Sequence, residues 1–261
     1  MADKPNQTEG EFFAIAKTGR DGVRQMIDTM GDEIWGLAPA TISTPRDAYF
    51  QRAFVSIVNN EALKDVIATR AGVFSVYKAL AKAATMGLQI GGQFPQAHLV
   101  PFQGKAELIV SAEGLRFAAC TGPGRVLEDA VIRAVYDGED FRIDFAAATV
   151  EHAYDGKADR GKLRGVYGIL TRLDGTVQVA YMTRAEIEAV RDGHSGSYKA
   201  GRPTPWKSDF DAMALKTAAK RFLKPYAAES EGLAMLLSAE DEAAAEPADP
   251  APMRPISDRL G

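Results

Sequence analysis

A helix around residue 216 carries a row of basic side chains. Lys216, Lys220 and Lys224 are four residues apart, so each lies about 40° around the helix from the one before it. Arg221 lies about 60° beyond Lys224, while the opposite side is apolar and carries Leu215, Ala218, Ala219, Phe222 and Leu223. One face can therefore pack on a core while the other presents cations. Such a row matches the regular charges of a phosphate backbone, whose neutralisation releases counterions.

The same row could also be an ordinary solvated helix face, as most charge runs are. Solvated faces commonly alternate in sign at four-residue spacing, but no acid occurs between positions 212 and 228. This absence weakens the interpretation as a solvated face, and both interpretations stay open from this helix alone. Further basic candidates lie at Lys78, Lys82, Lys105, Arg133, Arg184, Arg191 and Lys207. Taken singly, each of these is more typical of a surface charge than of a binding contact. Aromatic side chains that could stack on bases or pack in the core are Phe94, Phe102, Tyr198 and Trp206.

The side chains typical of catalysis form no convincing constellation. The three histidines, at positions 98, 152 and 194, lack the spacing of metal ligands. Residues 193–197 (GHSGS) resemble a nucleophile elbow, but Ser197 stands where that motif requires glycine. No phosphate-binding G-x-x-x-x-G-K-[ST] loop occurs, which argues against ATP-driven strand exchange. We therefore expect no catalytic residue and no cofactor.

Three acids around residue 138 are the remaining metal candidates. Asp137, Glu139 and Asp140 could hold Mg²⁺ as a nuclease does, since carboxylates are its preferred protein ligands. They flank an Asp-Gly pair, however, and such a pair predicts a hairpin turn that charged side chains would keep soluble. We favour the turn and expect no metal site.

The overall charge of −4 hides an uneven distribution. From Tyr226 to the end the chain has eight acids and two arginines, a net charge of −6, so residues 1–225 carry +2. Local clustering of charge matters more to a polyanion than the total does. Cys120 is the single cysteine, and neither a signal peptide nor a membrane span is evident, which predicts a reducing cytoplasm.

Helical patterns surround a central region of strands. Thr44, Pro45 and Asp47 predict a helix start, and Val73 to Met86 has an apolar stripe that stops at Gly87. A short helix is predicted over residues 113–120. Strands are predicted at 97–102, 105–111, 126–136, 140–145, 164–173 and 176–182, with two-residue turns between several of them.

The later helices have capping signals. Residues 183–186 and 208–211 read as capping boxes, and Pro225 ends the second of these helices. Residues 193–205 are rich in glycine and proline and predict a mobile loop, while residues from about 239 onward lack an apolar period. We therefore predict an α+β core over about 40–226 with a flexible tail at each end.

Four segments together resemble the RecT family of phage single-strand annealing proteins. They read KALAKAATMGLQIGGQFPQAHLVPF (78–102), VYDGEDFRIDF (135–145), VYGILTRLDGTVQVAYMTRAEIEAVR (166–191) and PWKSDFDAMALKTAAKRFLKPY (205–226). They occur in the family's order and cover roughly residues 45–228. The combination of M-T-R-x-x-I-E-x-V-R, Pro-Trp and M-A-x-K-T-x-x-K-R-x-x-K is specific to that family.

The resemblance implies a Rad52-like core of antiparallel β-hairpins packed with helices. It divides the chain into an arm with a possible oligomerisation role (1–40), an annealing core (41–228) and an acidic tail (229–261). It implies ATP-independent binding of single-stranded DNA, pairing into a duplex intermediate, and homo-oligomeric rings or helical filaments. The resemblance implies that Lys216, Lys220, Arg221 and Lys224 belong to the DNA-binding surface. To these we add the candidates read from the residues themselves: Lys78, Lys82, Lys105, Arg133, Arg184, Arg191, Trp206 and Lys207.

Implied partners are a phage 5′→3′ exonuclease and the single-strand-binding protein of a bacterial host, in whose cytoplasm the protein would act. Two other classes stay open from the residues alone. A non-enzymatic binder of RNA or duplex DNA would use the same basic helix. A metal-dependent nuclease would instead degrade DNA ends in the presence of Mg²⁺.

Overall fold

A computed structural model describes residues 17–40, 42–122, 124–156, 159–202 and 204–245, with side chains up to residue 238. Its first part is helical and consists of α1 (Gly19–Gly36), α2 (Arg46–Val58), a 3₁₀ turn (Glu61–Leu63), α3 (Lys64–Ile67) and α4 (Arg70–Thr85). A hairpin and a helix follow: β1 (Ala97–Phe102), β2 (Lys105–Val110) and α5 (Ala112–Cys120). No helix among these described residues or those that follow is long and apolar enough to cross a membrane.

The second part begins with strands and ends with helices. The strands are β3 (Leu127–Tyr136), β4 (Asp140–Asp144), β5 (Thr149–Ala153), β6 (Leu163–Arg172) and β7 (Val177–Thr183). They are followed by α6 (Arg184–His194), α7 (Gly196–Lys199), α8 (Pro205–Ser208), α9 (Phe210–Leu223), a 3₁₀ helix (Lys224–Glu229) and α10 (Glu231–Ala245). The α+β class predicted from the sequence is confirmed, whereas the Rad52-like arrangement stays a prediction.

Helix α4 and the first hairpin form as their sequences predict. The predicted stripe of α4 is buried throughout: Val73, Val76, Tyr77, Leu80 and Ala84. The turn of the hairpin places Gln103 and Gly104 at φ values of 49° and 75°, the left-handed pair that a two-residue turn between twisted strands requires. The backbone N–H of Ala106 donates to the buried Ser75 hydroxyl at 2.7 Å, which ties β2 to α4.

Three of the later strands form an antiparallel sheet in the order β3-β6-β7, and β4 and β5 form a separate hairpin. Helix α9 packs on one face of the three-stranded sheet. Gly168 of β6 permits this approach, since a Cβ atom there would lie 2.8 Å from the Phe222 ring. The strand predictions are confirmed, but β5, which pairs with β4, was not predicted.

Of the three helix starts predicted from capping residues, two differ from the prediction in how the helix is capped. Helix α2 begins after Pro45 without a side-chain cap, and the Thr44 hydroxyl instead accepts a hydrogen bond from the Gln89 side chain. Helix α9 is capped by Asp209, whose carboxylate accepts from the Ala212 N–H at 3.1 Å, so the box does not begin at residue 208. The capping box of Thr183 and Glu186 forms as predicted.

The packed core extends beyond the segment predicted for it. Helix α1 lies N-terminal to residue 40, yet Val23, Met26, Met30 and Ile34 are fully buried. Helix α10 continues past residue 239 to Ala245, and its first turns bury Leu233, Leu236 and Leu237. Residues 19–36 and 231–245 are therefore structured, whereas 1–16 and 246–261 lie outside the described residues. The oligomerisation role of the N-terminal arm stays a prediction.

The glycine- and proline-rich segment at 193–205 contains more structure than predicted. It includes the helical turn α7, capped by the Ser195 hydroxyl, and the first residue of α8.

Cys120, the single cysteine, is the last residue of α5 and is 6% exposed. Burial raises the pKa of its thiol to about 11.

Candidate nucleic-acid interface

Helix α9 is held with its basic face outward by the burial of its other face. Its buried residues, Ala214, Ala218, Ala219, Phe222 and Leu223, contact the three-stranded sheet and α5. Burial of the two large side chains contributes roughly 2 kcal/mol each, which fixes the rotation of the helix about its axis. The lysines at 216, 220 and 224 consequently face away from the core, as the sequence predicted.

The three basic residues of α9 and Lys224, which directly follows it, line one groove of about 570 Å³. We call it the basic groove, and it is lined by Lys216, Lys220, Arg221, Lys224, Trp206, Met182, Val190, His194 and residues of β2. Trp206 is 8% exposed and packs against Phe210 with ring centroids 5.8 Å apart. Its main contribution is thus to anchor the start of α9.

One acid from another helix reaches the basic row. Arg221 forms an ion pair with Glu186 of α6, with an N–O distance of 3.2 Å. Hydrogen bonds from the Thr183 backbone and hydroxyl, followed by the charge of Arg221, lower the pKa of Glu186. Both side chains are substantially exposed, so this pair adds little stability. It reduces the net charge at Arg221.

A second groove of about 390 Å³ brings together three other predicted residues. Lys78 and Lys82 of α4 lie beside Lys105 at the turn of the first hairpin, and we call this the lysine groove. Lys78 Nζ lies 4.7 Å from the centre of the Phe74 ring. Leu108 of β2 lines both this groove and the basic groove, so the two adjoin across that strand.

The remaining predicted cations are engaged elsewhere. Arg184 pairs with Glu188 at 2.9 Å, and Arg191 pairs with Asp192 at 2.8 Å while its guanidinium lies 4.3 Å from the Tyr198 ring centre. Lys207 donates to the Gly201 carbonyl at 2.6 Å. None of these three lines the basic groove or the lysine groove. Their role as DNA contacts stays a prediction.

Arg133 lines a different cavity, of about 500 Å³, beside a buried carboxylate. Glu139 accepts hydrogen bonds from the Tyr136 N–H at 2.8 Å and from Arg160 Nε at 2.7 Å, and its carboxylate lies 3.0 Å from His152 Nε2. Burial opposes ionisation of Glu139, but these hydrogen bonds outweigh it and lower its pKa. Because its oxygens are already engaged, Glu139 is poorly suited to bind Mg²⁺.

This network was missed by sequence reasoning because His152 and Arg160 are 13 and 21 residues away from Glu139. The sequence showed only one member of this network, an acid next to an Asp-Gly turn. Within the residues that the structure describes, no group of three His, Cys, Asp or Glu side chains could hold a metal ion.

A third concave surface adjoins the basic groove and is largely apolar. We call it the apolar pocket; its volume is about 540 Å³, and it is lined by Phe94, His98, Leu99, Met213, Leu215, Lys216 and neighbouring residues. Phe94 is 74% exposed. Partial desolvation of the His98 imidazole by its surroundings, followed by the nearby charge of Lys216, lowers its pKa, against an opposing effect of Asp209. Lys216 lines both this pocket and the basic groove.

The fold and these surfaces define an α+β protein with adjoining cationic grooves over a β-hairpin. Its sequence matches the RecT family model over residues 48–252, and the chain belongs to that family. The resemblance noted from the four segments is thereby confirmed. Membership supports a single-strand annealing protein of DNA recombination.

Two relatives show the extent of the similarity. The chain is 28% identical over 189 residues to Protein RecT of Escherichia coli (strain K12), covering 69% of this chain and 67% of that protein. It is 26% identical over 198 residues to Uncharacterized protein YqaK of Bacillus subtilis (strain 168), covering 76% of this chain and 65% of that protein. The match thus spans about two thirds of the length of each relative.

Proposed function

We propose that this protein binds single-stranded DNA along the basic groove and anneals complementary strands without nucleotide hydrolysis. The observation that carries the proposal is the convergence of Lys216, Lys220, Arg221 and Lys224 on one groove. The lysine groove, adjoining across Leu108, extends the path for the strand. Family membership supplies the recombination context.

The mechanism requires two contributions from the protein. Two polyanions repel one another, and lysines along a groove offset this repulsion by displacing counterions from the phosphates. Contacts to phosphates position a strand without reading its sequence, so the bases are free to test partners. Base pairing supplies both the specificity and the driving force, and no catalytic residue is needed.

A chain of this size covers only a few nucleotides, which is why the proposal includes homo-oligomers. Neighbouring copies on one strand bind as a multivalent unit, so that weak contacts add to a long-lived complex. Rings and helical filaments are both compatible with this requirement. A 5′→3′ exonuclease and a host single-strand-binding protein are the partners that fit, because they produce and cover the single strands to be annealed.

The direct test follows pairing of two complementary labelled oligonucleotides by FRET, with protein added to the first strand and no ATP present. Pairing faster than the protein-free reaction, for complementary strands only, is the expected result. Binding without acceleration would point to a general coat protein for RNA or duplex DNA. Shortened strands in the presence of Mg²⁺ would indicate a nuclease, and either result would overturn the proposal.

The basic groove is tested by the double substitution Lys216→Ala and Lys220→Ala. Loss of two phosphate contacts should weaken single-strand binding at least tenfold and reduce the slope of log K against log salt by about 1.4. Fluorescence anisotropy over a salt series measures both quantities. The control removes equal charge outside the grooves with Lys64→Ala and Lys162→Ala. An unchanged slope in the groove variant would exclude α9 from the interface.

A further inference from the structure

The loop that carries Phe94 is held firmly although its tip is exposed. Gly91 has φ of 77°, and a Cβ atom there would lie 2.8 Å from the Arg52 carbonyl, so the loop lies directly on α2. On its other side the Ser111 hydroxyl donates to the Pro95 carbonyl at 2.9 Å. Phe94 is nevertheless 74% exposed. A large apolar ring is thus presented to solvent on an anchored loop, which lowers the entropy lost when a ligand packs against it.

The apolar pocket beside this ring has the size and lining of a small-molecule site. Its volume of about 540 Å³ lies in the usual range for such sites. Leu99, Met213 and Leu215 provide apolar lining, and His98 provides a hydrogen-bonding imidazole. The lowered pKa of His98 keeps this imidazole neutral near pH 7, so it can donate from one ring nitrogen and accept at the other.

Lys216 is the cation of a lining that also includes the carboxylates of Glu113 and Asp209. Both carboxylates are engaged within the protein, since Glu113 pairs with Arg116 and Asp209 accepts from the Ala212 N–H. Because Lys216 lines both the basic groove and the apolar pocket, a ligand held there places an anionic group at the lysine and a flat apolar group in the pocket. A nucleotide within a strand has this combination of a phosphate and a base whose faces are apolar. An uncharged small molecule would make no use of the cation.

We propose that the apolar pocket holds one base of the bound strand out of the base stack, with Phe94 packed on its face and the adjoining phosphate at Lys216. This inference rests on the proposed function, because the strand must lie in the basic groove. A paired base cannot enter the pocket. The pocket therefore favours single strands over duplex, and pairing withdraws the base from it and weakens the protein's hold on the product.

The experiment compares Phe94→Ala and Phe94→Trp with the unaltered protein, using dissociation constants for an oligonucleotide and for its duplex. Loss of stacking in Phe94→Ala should weaken single-strand binding at least fivefold, leave duplex binding within twofold and leave the salt slope unchanged. Phe94→Trp should restore the single-strand affinity. The matched control is Phe145→Ala, which removes another exposed ring, 63% exposed, that does not line these grooves.

Equal loss of single-strand and duplex affinity in Phe94→Ala would overturn the pocket. Unchanged single-strand affinity in that variant would overturn it as well. In both cases the unaltered protein would still anneal complementary strands, so the proposed function would stand. Failure of the unaltered protein to accelerate pairing would instead remove the proposed function, and the pocket with it.

Discussion

Gly168 determines how closely helix α9 lies on its sheet. It stands on β6 between Val166 and Leu170, at the point where Phe222 of α9 packs, and a Cβ atom there would lie 2.8 Å from the Phe222 ring. Phe222 is buried, with 6% of its surface exposed. The height of the lysine row above the sheet thus depends on the absence of one methyl group.

Gly168→Ala should lower the free energy of unfolding by about 1–3 kcal/mol, because the added methyl group overpacks the contact between α9 and β6. Urea denaturation followed by circular dichroism measures the change. Gly193→Ala is the control: it lies within α6 with nothing within 4 Å of its Cβ position, so it should leave stability unchanged or raise it by up to about 1 kcal/mol. Equal midpoints for Gly168→Ala and the unaltered protein would contradict the packing argument.

At the scale of elements, the β4–β5 hairpin is attached to the rest of the protein through its base and one face. Glu139 joins the end of β3 to His152 of β5 and to Arg160 before β6. Phe141 of β4 packs on Tyr167 and Tyr181, with centroid distances of 5.4 and 5.2 Å. The hairpin has no strand neighbour in the three-stranded sheet. The Glu139 carboxylate and this aromatic cluster hold its orientation, together with backbone hydrogen bonds at its base from Asp137 to Lys162 and from Gly138 to Arg160.

The Glu139 network predicts a specific dependence of stability on pH. Its folded-state pKa lies below the ordinary value of 4.5, so its contribution is fully present above that pH and is lost as the pH falls through the folded value. Glu139→Gln should cost about 1–3 kcal/mol at pH 7, and the difference from the unaltered protein should shrink below pH 4.5. Urea midpoints from pH 3 to 7 measure this.

The matched control for that series is Asp140→Asn, which removes a charge from an exposed neighbour on the same hairpin. It should produce a smaller and nearly constant change across the same pH range. A Glu139→Gln variant whose deficit stays constant down to pH 3 would show that the carboxylate's charge is not what holds the hairpin.

Elements with local signals were predictable, and contacts between distant segments were not. The α4 stripe, the hairpin at Gln103-Gly104 and the capping box at Thr183 depend on residues within a few positions of one another. Helix α1 was missed although Thr18 and Asp21 have the spacing of a capping box; in the structure Thr18 makes no side-chain capping hydrogen bond. The basic face of α9 was readable from spacing, but its junction with the lysine groove and with the apolar pocket arises only from tertiary packing.

At the scale of the whole molecule, one contiguous core joins the first described helix to the last. It runs from Val23 in α1 to Leu237 in α10 and includes residues of the sheet and of α9. Helix α10 begins with a buried cap, because the Ser230 hydroxyl accepts from the Leu233 N–H at 3.3 Å. The first half of α10 is therefore part of the core, although acidic residues dominate the sequence that follows.

Two truncations separate these regions. A chain ending at Ser238 lacks residues 239–261 but keeps Leu233, Leu236 and Leu237, so its urea midpoint and its annealing of naked strands should be largely unchanged. A chain ending at Ser230 loses all three leucines and should lose at least about 4 kcal/mol of stability. Aggregation or loss of annealing in the longer chain would move the functional boundary beyond residue 238.

The burial of Cys120 makes the protein suited to thiol labelling. Its sulfur is shielded at the end of α5, beneath elements that include α9 and α10, and the raised pKa keeps it protonated and unreactive at neutral pH. A cysteine introduced on the surface will take up a maleimide dye far faster than the native one. Because Cys120 is shielded, the slow rate at which it is modified measures how often α5 opens. The same reagent, attached to an introduced surface cysteine, can report the position of bound DNA.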